Sequence, residues 1–265
     1  YYIGNVLKVI KVLASEKIYN HQVSSLSKVD SKMVESVPPG GNWKNIPDSI
    51  PSKRLEQIRA SGGRTTLYGR LKRDMPSYTI STYFNRPGNG TFIHPDYFLP
   101  HEGITQNRLI SFREAARLQS FKDSFVFFGS KSSILKQIGN AVPPLLGYHI
   151  AKSIMSYSKI KDMKVIDLFC GAGGLSHGFK DAGCTVLAGI DNFKDAIVTY
   201  KNNNPDTKAI CDDIKMKSTK FSLYNSVKGT DIDIIIGGPP CQGFSHAGGR
   251  IVDDPRNFLF KEFVE

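Results

Sequence analysis

Cys241 is the side chain in this sequence that is best suited to act as a nucleophile, because a thiolate is intrinsically reactive and needs little activation. It follows Gly237-Gly238-Pro239-Pro240, which comes directly after the apolar, β-branched run Asp231–Ile236. That run is typical of a buried strand, and two glycines followed by two prolines must end it. The pattern places Cys241 at the carboxyl end of a strand, where ligands collect in open α/β sheets. A lone cysteine is more often simply buried, so its neighbours must carry the functional interpretation.

A glycine-rich turn follows another predicted strand. Val165–Phe169 is apolar and β-branched, and Gly171-Ala172-Gly173-Gly174 provides a tight turn into a helix predicted over Leu175–Ala182. Glycine is needed where the backbone passes close under a ligand. The turn is not G-x-G-x-x-G and is not followed by Lys-Ser/Thr, so it fits a dinucleotide or a nucleoside triphosphate poorly. An adenosine ligand without phosphates, such as S-adenosylmethionine, fits better.

Acidic residues follow the next two predicted strands. Thr185–Ile190 ends at Asp191, about 20 residues beyond the glycines, which is the spacing at which an acid meets ribose hydroxyls. Asp212-Asp213-Ile214 follows a third strand. Ordinary solvation of strand ends is the alternative explanation for these acids, and their combination with the glycine turn favours nucleoside binding.

The composition is that of a globular protein with a polyanionic partner. The 265 residues carry a formal net charge of +11, and the sequence pI is about 9.4. A net charge this positive suggests that the polyanionic partner is a nucleic acid. No apolar run approaches the ~20 residues that a membrane span needs. The four cysteines form no C-x-x-C pair and have no metal-like spacing with the histidines, which indicates reduced thiols in a cytoplasmic protein and no metal site.

The first 107 residues are rich in turns and basic side chains, with strand-like runs such as Ser77–Phe84. This composition fits a surface that reads nucleic acid as well as it fits an irregular solvated region. Farther along, Ser111 and Glu114 form a capping box that predicts the start of a helix. Lys159–Asp162 is a polar linker, and the sequence that follows from Met163 looks like the natural start of a chain.

Another helix is predicted to begin at Pro144, because proline suits the first helical position. Its apolar residues fall at helical spacing, which predicts that they form a stripe in the core. The stripe consists of Leu145, Leu146, Ile150, Ala151, Ile154 and Met155.

Several segments resemble motifs of the C5-cytosine methyltransferases. Gly237–Ser245 resembles their catalytic motif, Asp167–Gly174 their cofactor-binding motif and Gln137–Pro144 their last motif. Arg113–Gln119 resembles the penultimate motif, and Pro76–Ile80 is similar to part of their target-recognition region. In the family the cofactor motif usually comes first, so the order here is circularly permuted. Permutation is tolerated where chain ends lie close together on the surface.

The resemblance implies an α/β fold, with a Rossmann-like S-adenosylmethionine-dependent methyltransferase domain and a small, irregular target-recognition module. Residues 1–107 would form part of the recognition region. Residues 108–162 would supply the C-terminal-type motifs that complete the catalytic domain, and residues 163–265 would form the cofactor-binding and catalytic half. Arg113, Glu114 and Arg117 are expected to be structural.

The resemblance also implies that S-adenosyl-L-methionine is the cofactor. Phe169, Gly171 and Gly173 would lie along its methionine and adenosine parts, and Asp191 would bind the ribose beside Asn192. The remaining expected contacts are Asp213 to the adenine amino group, Ile214 on the adenine ring, Pro239 at the sulfonium, Leu259 on the adenine side, and Asn140, Ala141 and Val142 from the last motif.

The implied reaction is methylation of cytosine C5 in a specific sequence of double-stranded DNA. Cys241 would attack C6 of a base flipped out of the duplex. Gln242 and Ser245 would contact the DNA beside the vacated position, and Thr79 and Arg86 would contact it from the recognition region. The expected setting is a bacterial restriction-modification system in the cytoplasm, close to the nucleoid and without a membrane.

Two motifs of the family have no counterpart in the sequence, namely Glu-Asn-Val, which supplies an acid to cytosine N3, and Gln-x-Arg-x-Arg. Glu262 and Glu265 are expected to be exposed helix residues rather than substitutes for that acid. In the family's order of motifs, both ends of this sequence lie beside the place where the two missing motifs would stand. One hypothesis is therefore that a second polypeptide or a further segment supplies them. The alternatives are a non-catalytic subunit that binds DNA and cofactor, and an RNA cytosine-C5 methyltransferase.

Overall fold

The computed structural model describes residues 18–96, 107–240 and 259–264, together with the backbone of residues 98–99 and 104–105. The chain separates into two compact units. The first contains the described residues up to Ser124 and also Ile134–Asn140. The second contains Phe125–Ser133 and the described residues from Ala141 onward. Residues 108–162, predicted as one block, therefore divide between the two units.

The first unit is built from short elements. Its helices are α1 (Lys28–Glu35), α2 (Lys53–Ala60) and α3 (Phe112–Leu118), and its strands are β1 (Gly69–Arg70), β2 (Thr91–Ile93), β3 (Phe98–Leu99) and β4 (Ile104–Thr105). Strand β1 pairs in parallel with β2, and β3 pairs antiparallel with β4. Helix α4 (Lys131–Gly139) begins in the second unit and ends in the first. The first unit is therefore built from short elements and irregular backbone, and it extends beyond residues 1–107, the range predicted for the recognition region.

Buried arginines supply hydrogen bonds that a regular sheet would otherwise provide. Arg70 is 1% exposed and donates to the carbonyls of Val37 (2.6 Å), Val34 (2.8 Å) and His94 (2.8 Å). Arg113 donates in the same way to two carbonyls outside its own helix. Buried carbonyl groups need hydrogen-bond donors. These guanidinium groups provide them in a unit where few carbonyls are paired between strands.

The prediction of a strand-like run over Ser77–Phe84 is wrong. Residues 77–81 form irregular backbone, and the following residues form a turn. Ile80 and Phe84 are buried, whereas Tyr78 and Tyr83 are exposed by more than half. Buried positions four residues apart anchor an irregular segment, whereas a half-buried strand needs apolar positions that alternate.

The capping box predicted at the start of α3 is confirmed. Ser111 Oγ accepts from the backbone N–H of Glu114 (3.1 Å), and Glu114 Oε2 accepts from the backbone N–H of Ser111 (2.7 Å). The same carboxylate receives two hydrogen bonds from Arg108, at 2.7 and 2.9 Å. Glu114 is 1% exposed, so this side chain fixes the entry to α3 from inside the first unit.

The second unit contains a parallel four-stranded sheet. In chain order its strands are β5 (Lys164–Leu168), β6 (Thr185–Asp191), β7 (Lys208–Cys211) and β8 (Ile234–Gly237), and its helices are α5 (Pro144–Ser158), α6 (Gly174–Asp181), α7 (Lys194–Asn203), α8 (Lys217–Val227) and α9 (Leu259–Val264). The strand order is β7-β6-β5-β8, with every pair parallel. The α/β fold predicted from the sequence is confirmed.

Side chains alternate between the two faces of this sheet. Val165 belongs to a core cluster with residues of α5 and α6 on one face. Ile166 and Leu168 belong to a second cluster, on the other face, against which residues of α8 and α9 pack. Strand residues with a period of two therefore divide between two helical layers.

The apolar stripe of α5 is only partly buried, which corrects the prediction that all of it is core. Leu145, Leu146 and Ile150 are at least 36% exposed, whereas Ala151 is fully buried. Ile154 and Met155 are partly buried and pack against the core. The buried face of α5 also contains two small or compact residues, Pro144 and Gly147.

Close packing against α6 selects that face. A Cβ atom added to Gly178 of α6 would lie 2.2 Å from the carbonyl oxygen of Pro144. Only small residues permit helix backbones to come so close, and helical spacing alone does not distinguish one apolar face from another. Among the described residues, no helix is long and apolar enough to cross a membrane.

Candidate cofactor and catalytic site

Several of the predicted cofactor residues lie together at the carboxyl ends of the parallel strands. The turn after β5 has three residues in the left-handed region, Phe169 (φ 60°), Gly171 (φ 52°) and Gly173 (φ 95°). Among the described residues, a Cβ atom added to Gly171 would meet no atom within 4 Å. Backbone that is both exposed and left-handed can approach a ligand closely.

Asp191, at the end of β6, holds this turn in place. Its Oδ2 accepts from the backbone N–H of Gly171 (2.9 Å), and its Oδ1 accepts from the backbone N–H of Phe193 (2.8 Å). The residue is partly buried, and Asn192 beside it is exposed. A carboxylate has about four acceptor positions, so Asp191 keeps capacity for hydroxyl donors while it anchors the turn.

The end of β7 contributes two further acids. Asp213 Oδ1 accepts from the backbone N–H of Lys215 (3.0 Å), and Asp212 Oδ2 accepts from Thr219 Oγ1 (2.8 Å). Asp212 N–H donates to the carbonyl of Asp191 (3.1 Å), which joins this turn to β6. Three carboxylates therefore lie at neighbouring strand ends, an arrangement that suits hydroxyl and amino groups and repels phosphate.

Three apolar residues predicted to contact the cofactor belong to one cluster. Ile214 is 6% exposed, in a core cluster with residues of β5, β6 and β7. Phe169 and Leu259 are partly buried and pack against the same cluster. The structure thus places these three side chains in or against one apolar cluster. Glu262, expected to be exposed, is partly buried and forms an ion pair with Lys220 at 2.7 Å.

A buried polar network beneath the glycine turn was missed by the sequence analysis. Ser176 Oγ donates to Asp167 Oδ2 (2.6 Å), and Tyr200 Oη lies 2.9 Å from Ser176 Oγ. When Ser176 donates its one proton to Asp167, the Tyr200 hydroxyl is the donor to Ser176. The only signal was an aspartate inside an apolar strand, since neither Ser176 nor Tyr200 belongs to a motif.

Tyr200 also supports the turn through its ring. A Cβ atom on Gly173 would lie 2.8 Å from the ring, and one on Gly189 would lie 2.4 Å from it. Burial raises the pKa of Asp167 to about 7, despite the hydrogen bond from Ser176. Among the described residues no donor reaches Asp167 Oδ1, which is buried. The carboxyl group is therefore easily protonated at the base of the turn.

Strand β8 leads into the predicted catalytic loop. A Cβ atom on Gly237 would lie 2.0 Å from the carbonyl oxygen of Leu168, so glycine is required where the end of β8 lies beside the end of β5. Pro239 follows and is partly buried. Cys241, Gln242 and Ser245 lie outside the described residues.

The other predicted site residues lie elsewhere in the chain. Ala141 and Val142 belong to the second unit and immediately precede α5, which packs on α6. Asn140 is exposed and belongs to the first unit. Thr79 and Arg86 are exposed in the first unit, and the Arg86 guanidinium lies 5.9 Å from the ring centroid of Tyr83.

Comparisons with known proteins agree with these observations. The family model for C-5 cytosine-specific DNA methylases matches residues 4–156 and 163–265. The chain is 48% identical over 102 residues to Type II methyltransferase M.DdeI of Desulfomicrobium norvegicum, covering 38% of this chain and 24% of that protein. It is 35% identical over 141 residues to Type II methylase M.HgiDII of Herpetosiphon aurantiacus, covering 52% of this chain and 37% of that protein.

A solved structure with a local likeness is a mutant of DNMT2 from Spodoptera frugiperda. It is 27% identical, covers 39% of this chain and 34% of that chain, and has a TM-score of 0.29. The chain spans about a quarter of the length of M.DdeI.

Proposed function

The chain belongs to the C-5 cytosine-specific DNA methylase family, and on that premise we propose that it transfers a methyl group from S-adenosylmethionine to C5 of cytosine in a specific DNA sequence. The observation that carries the proposal is the match of the family model to both sides of residues 157–162. The proposed setting is a bacterial restriction-modification system, because the relatives described above are Type II enzymes.

The residues at the carboxyl ends of the parallel strands fit S-adenosylmethionine. Gly171 has no described atom within 4 Å of the position of an added Cβ, and Asp191 retains acceptor positions for ribose hydroxyls. Asp213 would accept from the adenine amino group, and Phe169, Ile214 and Leu259 form an apolar cluster for the ring. The carboxylates favour a ligand without phosphates and with a positive charge. Gly173, Asn192, Pro239, Asn140, Ala141 and Val142 are the further proposed contacts.

Cys241 would carry the covalent chemistry. When bound, S-adenosylmethionine supplies a methyl group on a positively charged sulfur. The Cys241 thiolate forms a bond to C6 of cytosine, and the electron pair displaced from the C5–C6 double bond makes C5 nucleophilic. After C5 has accepted the methyl group, a base removes its proton, the double bond re-forms and the S–C6 bond breaks, which returns the thiolate. The cytosine must be flipped out of the duplex, at a cost of a few kcal/mol, with Gln242 and Ser245 against the DNA.

A complementary segment would supply the acid that protonates cytosine N3. Strand β8 forms one edge of the sheet, and among the described residues no strand pairs with its outer side. Ile235 on this edge strand is 46% exposed. An exposed apolar edge is a template for another strand. We propose that a second polypeptide, or a further segment of the protein, adds a strand there and carries the Glu-Asn-Val and Gln-x-Arg-x-Arg motifs.

Trapping with 5-fluorocytosine tests the proposed function, because fluorine at C5 cannot leave as the proton does and the S–C6 bond then persists. Duplex DNA containing this base is incubated with S-adenosylmethionine, the chain and any companion segment. We expect a stable protein–DNA adduct that peptide mapping assigns to Cys241. Cys241→Ser should abolish both adduct and methylation, whereas Cys211→Ser, at an exposed cysteine, should abolish neither.

Other outcomes would favour the alternatives. DNA and S-adenosylmethionine binding without an adduct would indicate a non-catalytic subunit. Methylation of RNA and not of DNA would indicate an RNA cytosine-C5 methyltransferase. Full activity of the purified chain without any companion would overturn the proposed complementation but not the proposed reaction.

A further inference from the structure

The first unit contains a polar cavity that the proposed reaction does not use. Its volume is about 370 Å³, which is large enough for one nucleotide and too small for a stretch of duplex. It lies between the segment before α1, the start of α2 and the turn around residues 85–89. Most of the side chains that line it carry hydrogen-bonding groups, and these include Asp30, Arg54, Tyr68, Asn85 and Arg86.

Two side chains with acceptor oxygens, Asp30 and Asn85, line this cavity. Asn85 Oδ1 is buried, and among the described residues no donor reaches it. A buried acceptor without a donor costs about 1–3 kcal/mol, so a position of this kind needs an explanation. Asp30, also in the lining, receives a hydrogen bond from Ser27 at one carboxylate oxygen, Oδ2, and an ionised carboxylate can accept several more.

The donors are held in place by the backbone around Gly88. Arg54 donates to the carbonyl of Gly88 (2.9 Å) and to Asn89 Oδ1 (3.1 Å). A Cβ atom on Gly88 would lie 2.8 Å from Arg54 Nε and 3.1 Å from Tyr68 Oη, so both groups converge on this glycine. The cavity wall is therefore built before any ligand binds.

Tyr68 adopts an unusual backbone conformation in this wall. Its φ of 51° lies in the left-handed region, which is uncommon for a bulky residue, and the side chain is 2% exposed. Such strain clusters at binding sites. Burial, together with the negative charge of Asp30, raises the pKa of Tyr68, so its hydroxyl remains a hydrogen-bond donor.

Arg86 gives the cavity a cationic rim. It is exposed, and its guanidinium lies 5.9 Å from the ring centroid of Tyr83, which is 55% exposed. Arginine and tyrosine side by side at a surface are suited to a phosphate and to a stacked base. The lining thus runs from a cationic, aromatic rim to side chains with acceptor oxygens, Asp30 and Asn85.

We propose that this cavity binds a single nucleotide of the DNA, with its phosphate at Arg86 and an amino-bearing base inside. Asp30 accepts from the exocyclic amino group, together with Asn85 Oδ1 once the Asn85 side chain turns towards the cavity, and Tyr68 donates to a ring or carbonyl acceptor of the base. Thymine lacks the amino group and is disfavoured. A base inside a duplex cannot reach such a cavity, so the nucleotide is displaced from the stack. The inference rests on the proposed function for the identity of the polymer.

Binding of the four deoxynucleoside monophosphates to the full chain is the first test, by calorimetry. We expect at least one amino-bearing nucleotide to bind about tenfold more tightly than thymidine monophosphate. Asn85→Leu should weaken binding of the amino-bearing nucleotide by about tenfold, as the loss of one hydrogen bond predicts, and so remove its preference over thymidine monophosphate. Arg86→Ala should weaken all four nucleotides alike, whereas Lys201→Ala, an equal loss of charge at an exposed residue of the second unit, should change none.

The second test distinguishes DNA from a free nucleotide. Duplexes that the protein binds, together with any companion segment, are selected from a random pool, and 2-aminopurine is placed at each position in turn. We expect one position outside the methylated cytosine to show the fluorescence of an unstacked base, and Asn85→Leu to reduce that signal. Nucleotide binding without an unstacked second position would indicate a free nucleotide and overturn the inference about DNA. No nucleotide binding by the folded protein would overturn it entirely.

Binding of S-adenosylmethionine and methylation are measured on the same Asn85→Leu and Arg86→Ala proteins. Retained cofactor binding shows that the variants are folded. For the wild-type protein, methylation without a second displaced base would defeat only the cavity proposal, whereas displacement without methylation would defeat only the proposed function.

Discussion

The backbone N–H of Gly171 donates to Asp191 Oδ2 across 2.9 Å, so one carboxylate both shapes the glycine turn and faces the proposed cofactor site. Coupling these two tasks has a consequence for mutagenesis. Removing the carboxylate disturbs the turn as well as the ribose contact, so its effect on cofactor affinity should exceed that of one lost hydrogen bond.

Asp191→Ala should therefore weaken S-adenosylmethionine binding by about 100-fold, the upper range for a hydrogen bond to a charged group. Asp191→Asn keeps one oxygen acceptor and should cost about tenfold. Asp231→Asn, at an exposed position far from the turn in sequence, serves as the control and should bind normally. Calorimetry measures the affinities, and an unchanged dissociation constant for Asp191→Ala would contradict the assigned role.

Asp167 should make stability depend on pH. Its pKa is 3.8 in the reference state and about 7 in the folded protein, where burial opposes the charge. Between about pH 4 and pH 7 the folded state holds a proton that the unfolded state has released. The free energy of unfolding should therefore fall by up to about 1.4 kcal/mol per pH unit as the pH rises through this interval, and level off above it.

Asp167→Asn should remove that slope, because the amide does not titrate. The measurement is urea unfolding at a series of pH values, with Asp231→Asn as a matched carboxylate-to-amide control that keeps the wild-type slope. Identical pH profiles for wild type and Asp167→Asn would show that the buried carboxyl group is not protonated in the folded state.

Glu114→Gln should destabilise the first unit by about 3 kcal/mol, because it leaves the Arg108 guanidinium without its charged partner in a buried setting. Burial alone would raise the pKa of Glu114, but hydrogen bonds and charge from Arg108 outweigh it and hold the pKa at about 2. Since the pKa is lowered, the stabilisation is present above about pH 4.5 and is lost as the pH falls towards 2.

Asp48→Asn is the comparison, since Asp48 pairs with Arg59 at 2.9 Å but its side chain is 92% exposed. A solvent-exposed pair contributes about 0–1 kcal/mol, so this change should cost much less than Glu114→Gln. Denaturant unfolding at pH 7 measures both. Equal costs would mean that burial does not decide the strength of these pairs.

The parts of the molecule that the sequence predicted are those with a strong local signal. Apolar β-branched runs predicted β5 and β6 within a residue, and Ser111 with Glu114 predicted the start of α3, because periodicity and capping act over a few residues. The face that α5 buries depends on how closely Gly147 and Gly178 let two helices approach, which is a tertiary property. The Asp167–Ser176–Tyr200 network and the Asn85 cavity join residues far apart in the chain, so no local pattern could reveal them.

The outer edge of β8 provides the last prediction. Ile235 is 46% exposed there, so Ile235→Lys should change the stability of the isolated chain by less than about 0.5 kcal/mol. If a complementary strand covers this edge, the same substitution places a charge in the new interface and should reduce association by at least tenfold. Val198→Lys, on a helix and 41% exposed, is the matched control and should associate normally. Pull-down of the companion by each variant, with methylation measured on the complexes, decides the matter. Full association and activity of Ile235→Lys would place the complementary segment away from β8.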